Sequence, residues 1–140
     1  MSRRKGRVLA FQALYSYDVG GIAIEDLLQF SWTNADNGYL NKDEYVFARL
    51  LVSGTLENKD AIDSAIKRHL SATWDFSRIS RVSLAILRIS TYSILFQKDV
   101  EKSIIIDEAI HIAKEFDSDD SFRFINAVLD KIANEAKNES

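Results

Sequence analysis

Not one of the 140 residues is proline, where average usage would supply about seven. Proline removes a backbone donor and clashes with the preceding helical turn, so its absence favours a chain that is helical nearly throughout. Glycine is scarce too, with five. Gly20-Gly21 reads as a helix stop, and Asn34-Ala-Asp-Asn-Gly38 as a turn-rich linker. Gly54 stands inside an otherwise helical stretch, where it costs stability relative to alanine. Close approach of another helix is the expected reason.

Hydrophobic periodicity supports an all-α chain. The first helix is expected over about 3–19 and a short second one over 24–32. A third starts near Asp43 and carries its apolar period to Leu70, with a break near Asn58; residues 71–77 read as a connection. The stretch 79–96 is apolar nearly all round, which places it at the centre of the fold. A further helix is expected over about 103–116. Ile104, Ile105 and Ile106 would suit a strand, but the later period, with Ala109, Ile112, Ala113 and Phe116, favours helix. The last helix begins near Asp119-Asp120, whose carboxylates suit a helix N-terminus.

The length suits one domain, or two small bundles sharing a core. Cysteine is absent, which excludes disulfides and cysteine-ligated metal and fits a reducing, cytoplasmic setting. No apolar segment is long enough for a signal peptide or a membrane span. The two histidines, His69 and His111, are not in a ligand-spaced cluster. There is no phosphate-cradling glycine loop and no nucleophile elbow. The sequence thus names no catalytic residue, no metal ligand and no cofactor.

Charge is distributed unevenly. Arg3, Arg4, Lys5 and Arg7 crowd five positions, and the first acidic residue is Asp18. Of 18 Lys and Arg these four precede Asp18, leaving 14 against 21 Asp and Glu, a net −7 for the remainder. A basic head on an acidic body suggests a local anion site. Because it runs directly into an apolar helical pattern, it need not be a tail. Arginine-rich segments at helix starts often bind RNA, whereas charge alone favours a solubilising or fraying terminus.

The last helix carries two stripes. Phe122, Ile125, Leu129, Ile132 and Ala136 form the core face. Phe124 falls roughly 110° from its centre at 100° per residue, and with Asp120, Arg123 and Ala127 it forms a second stripe that suits partner docking. Packing of Phe124 against a neighbouring helix is the plainer alternative. On the central helix Arg81 and Arg88 lie seven apart, hence on one face. Burial of unpaired arginine is costly, so an interhelical salt bridge to Asp107, Glu108 or Asp130 is expected, with an anion site as the alternative.

Taken in order, these pieces resemble the NusB family of bacterial transcription antitermination factors. They are Arg3-Arg4-Lys5-x-Arg7 with Gln12-Ala-Leu-Tyr15, Arg81 with Ile86-Leu-Arg88-Ile89 and Tyr92, Ile106-Asp-Glu-Ala-Ile110 with Ala113-Lys-Glu-Phe116, and Asp119-Asp-Ser121 with Phe124-Ile-Asn126 and Val128-Leu-Asp-Lys-Ile132. The similarity runs nearly end to end. It departs from the family at Asp107, commonly Asn, at Ala127, commonly Gly, at Ser83, acidic in some members, and at residues 98–103, which lack a customary proline.

The resemblance implies two perpendicular three-helix bundles, about seven helices in all, over 1–75 and 76–140. It implies binding of the boxA element of ribosomal RNA leaders as single-stranded RNA. The partner it implies is NusE, a small ribosomal subunit protein, within an antitermination complex on RNA polymerase. Arg3, Arg4, Lys5, Arg7, Gln12 and Tyr15 correspond to the RNA-binding segment, with Arg88 a further RNA candidate. Asp120, Arg123 and Phe124 correspond to the NusE-facing surface. A homodimer is left open. The rivals are a protein–protein adaptor that binds no RNA, and a domain accessory to rRNA methylation.

Overall fold

A computed structural model describes residues 3–23, 25–26, 41–72 and 74–139. Among them there are six α-helices and no strand: α1 (Arg4–Gly20), α2 (Lys42–Glu57), α3 (Lys59–Arg68), α4 (Arg81–Phe96), α5 (Lys102–Phe116) and α6 (Ser121–Glu139), with a 3-10 turn over Phe76–Arg78. The short helix expected over 24–32 falls, but for Glu25 and Asp26, outside the described residues, as does the linker 34–38.

The boundaries follow local chemistry. α1 stops at Gly21, whose φ of 67° lies in the left-handed region that glycine enters freely; its N–H bonds the carbonyl of Tyr17. α2 opens with a reciprocal capping box, in which the Asn41 side chain accepts from the Glu44 N–H and the Glu44 carboxylate from the Asn41 N–H. The expected break falls at Asn58, which caps α2 by donating from its side-chain amide to the Gly54 carbonyl at 2.8 Å. Residues 104–106 are helical, as their later period requires.

α4 is the axis of the molecule. It packs against each of the other five helices, and twelve of its residues, from Ser83 to Ile94, are buried. Leu51, Ile62, Ile66, Leu87, Ile112 and Leu129 are sealed from solvent, in one core that runs from Leu9 to Ala133. The last helix buries Ile125, Leu129 and Ile132 as expected, together with Val128 and Ala133, whereas Phe122 and Ala136 are only half-buried against the core edge.

Gly54 meets its expected helix neighbour. A Cβ there would collide with the ring of Tyr92 on α4. Gly6 has the same role where α1 crosses α2, since a Cβ would lie 2.8 Å from the Phe47 ring.

Candidate functional site

The basic head is structure, not tail. Its backbone enters α1 at Arg4, and the Arg7 N–H bonds the Arg3 carbonyl at 3.0 Å. The first turn of α1 contains no acidic residue. Basic side chains there oppose the helix macrodipole, which places positive charge at that end. The arrangement is unfavourable for the isolated helix and favourable once an anion arrives.

Three arginines are fixed around two anchors. The Arg3 guanidinium lies over the Phe47 ring at 4.2 Å from its centroid, and Arg7 lies 5.4 Å from the same ring. Arg4 reaches α5, donating from Nε to Glu108 at 3.0 Å and from Nη2 to its other oxygen at 3.2 Å. The hydrogen bond to Glu108 strengthens the hold of Arg4 on its proton. The Arg4 side chain remains half exposed. Arg7 is the buried member, at 8% exposure. Its Nε has no hydrogen-bond partner among the described residues, and desolvation pulls its pKa below the usual arginine value. Lys5 and Tyr15 are exposed and Gln12 is half-buried; all three share the outward arc of α1.

Arg3, Arg4 and Arg7 line one wall of a groove of about 800 Å³. Phe47 and Leu50 of α2, Tyr92 and Phe96 of α4 and Ile104 of α5 supply the apolar part. Leu50, Phe96 and Ile104 are each close to half exposed. The arginines stand out in the sequence; their apolar companions, on three separate helices, do not.

A second concavity, of about 300 Å³, contains Asp120 and Phe124 at the start of α6. Its other aromatic wall is Trp74, 47% exposed and tilted against Phe124 with ring centroids 4.7 Å apart. Phe124 is half-buried at the edge of the core, off the main apolar stripe. Arg123 is exposed beside it. Ser83 lines the same concavity and donates from its hydroxyl to Asp117. Sequence patterning does not point to Trp74; a tryptophan within a polar connection is the available signal.

Arg88 stands apart from both surfaces. It is 9% exposed and donates to both carboxylate oxygens of Asp63, from Nε at 2.9 Å and from Nη2 at 3.0 Å. Its fork is therefore committed inside the fold. The partner is not one of those expected, because Asp107, Glu108 and Asp130 belong to α5 and α6, whereas α3 brings Asp63 to this face of α4. Arg81 pairs with Asp18 of α1 at 3.0 Å, and Asp18 lies 4.0 Å from Arg88.

Comparison with known proteins identifies the family. The NusB family model matches residues 4–134. A transcription antitermination protein NusB from Treponema denticola is 48% identical over 136 residues, covering 97% of this chain and 98% of that protein. The corresponding protein of Geobacter sulfurreducens is 42% identical over 132 residues, covering 94% of each. Among solved structures, T. maritima NusB superposes with a TM-score of 0.84 at 37% identity, covering 96% of this chain and 92% of that one. NusB in a complex of the antitermination factors NusB and NusE with double-stranded RNA gives 0.83 at 28% identity, covering 96% and 99%. By family model, full-length identity and fold, the chain belongs to the NusB family.

Proposed function

We propose that this chain is a non-enzymatic transcription antitermination factor that binds boxA-type leader RNA of rRNA operons together with NusE. In that role it joins the antitermination complex on RNA polymerase, in the cytoplasm. The observation that carries the RNA part is the folded, acid-free first turn of α1, with Arg3 and Arg4 held in place by Phe47 and Glu108. Pre-placed guanidinium groups lose less side-chain freedom when they meet phosphate. The outward arc of Lys5, Gln12 and Tyr15 continues that surface, and Tyr15 offers a ring on which an unstacked base can lie.

NusE docks on the start of α6, where Phe124 and Trp74 present an aromatic pair flanked by Asp120 and Arg123. Few phosphate contacts are available on one helix turn, so affinity for RNA alone is modest and falls with salt. A partner that touches both the protein and the same RNA raises occupancy by coupling. The acidic body opposes indiscriminate RNA binding by repulsion.

The test is a titration of boxA-like RNA with and without NusE. Salt-sensitive binding that tightens in the presence of NusE is the expected result. Absence of RNA binding at low salt in both titrations would leave the adaptor reading.

A further inference from the structure

The groove beside the basic head has a composition that phosphate binding does not require. Phosphate is served by the guanidinium groups and gains nothing from Leu50, Phe96 and Ile104, which stay near half exposed at 49%, 46% and 47%. Exposed apolar surface gathered in one concavity marks a binding site. Phe96 packs on Tyr92 at 5.5 Å between centroids with the planes 26° apart, which fixes its ring. The walls carry Arg3, Arg4 and Arg7 against Asp99 and Glu108. Glu108 is taken by Arg4, so the remaining charge of the groove is positive. Arg7 is nine-tenths buried there with its Nε unpartnered among the described residues. A guanidinium has donors only, so the exposed Arg3 and Arg4 on the groove wall suit an occupant that brings acceptors.

Flat, apolar on its faces and edged with acceptors describes a nucleobase. We propose that this groove takes one unstacked base of the bound RNA, stacked on Phe96, with its phosphate held by Arg3 and Arg4. This rests on the RNA-binding reading above and gives it a source of sequence preference, because phosphate contacts position a strand and carry no sequence information. An aliphatic segment of a partner protein would use the apolar walls and leave the cationic ones without a role.

The experiment is a binding cycle between Phe96 and the RNA. A boxA-like RNA is made with each base removed in turn, leaving the sugar and phosphate. Each is titrated against the unaltered protein, Phe96→Ala, Phe96→Leu and Phe96→Trp, with thermal unfolding checked for every variant. One position should lose roughly tenfold in affinity on base removal, the scale of one base–aromatic stack. Against Phe96→Ala or Phe96→Leu the same removal should cost almost nothing, and Phe96→Trp should restore the loss. The slope of log affinity against log salt should be the same for all four proteins.

Base-removal effects that are equal for parent and Phe96→Ala at every position would overturn the proposal. If Arg3→Ala and Arg4→Ala still weaken binding in that case, the RNA reading survives and only the groove assignment falls. If the unaltered protein does not bind intact RNA at low salt, the RNA reading itself fails.

Discussion

Arg88 and Asp63 meet across the α3–α4 interface through two parallel hydrogen bonds, 2.9 and 3.0 Å long, each side chain about nine-tenths buried. Lys59, one turn before Asp63 on α3, lies 3.6 Å from the same carboxylate. Removing one member of such a pair strands the other charge in the interior, which typically costs about 3–5 kcal/mol. Asp63→Ala is expected near the lower end, about 3 kcal/mol, because Asp18 stands 4.0 Å from Arg88. Denaturant unfolding measures it. A double replacement, Asp63→Leu with Arg88→Met, should recover more than half of that stability and leave RNA affinity unchanged. Weakened RNA binding in the folded double variant would return Arg88 to the RNA surface.

Gly54 and Tyr92 make a second test of the α2–α4 packing. Alanine in place of a mid-helix glycine should add up to about 1 kcal/mol from propensity alone. Here its Cβ would strike the Tyr92 ring, and overpacking of a core typically costs about 1–3 kcal/mol. Gly54→Ala is therefore expected to be net destabilising, and stabilising by up to about 1 kcal/mol on a Tyr92→Leu background, which lacks the clashing ring atoms. A stabilised single variant in thermal unfolding would mean that the helices can separate without cost.

Leu87 is sealed at the middle of α4. Leu87→Ala leaves a cavity and is expected to cost about 2–5 kcal/mol. A destabilisation under about 1 kcal/mol in chemical denaturation would remove α4 from the centre of the fold.

The aromatic pair at the start of α6 separates docking from stability. Phe124 is half-buried against Trp74, so Phe124→Ala should cost less than the roughly 3–5 kcal/mol of a core phenylalanine. A central aromatic anchor is worth about 2 kcal/mol or more in binding, and NusE affinity should fall by that much. Trp74→Ala, at an exposed position, should weaken NusE binding with little change in unfolding. Unchanged NusE affinity in both folded variants would detach this face from the partner.

The helices were legible in the sequence because their signals are local. The absence of proline, the Gly20-Gly21 stop, the break at Asn58 and the unbroken apolar run of α4 each act within a turn or two. Partner choice across helices was not legible. Asp63 looks like one more solvent-facing acid on a polar helix, and only the crossing of α3 over α4 brings it to Arg88. The same limit hid the groove. Arg3 and Arg7 announce charge in the sequence, but Phe47 and Phe96 arrive from two other helices, and nothing in their spacing relates them to the head. Trp74 was hidden for a different reason, since a connection has no period from which an outlying residue can be detected.

The central claim is that the folded basic turn of α1 holds RNA. Its most direct test is the affinity of a boxA-like RNA over a range of salt, for the unaltered protein and for Arg3→Ala/Arg4→Ala/Lys5→Ala, with the buried Arg7 left intact. The slope of log affinity against log salt should shrink by roughly 0.7 for each phosphate that is no longer neutralised, hence by up to about 2 for the triple variant, with thermal unfolding nearly unchanged. Equal affinity and equal slope for the two proteins would contradict the claim.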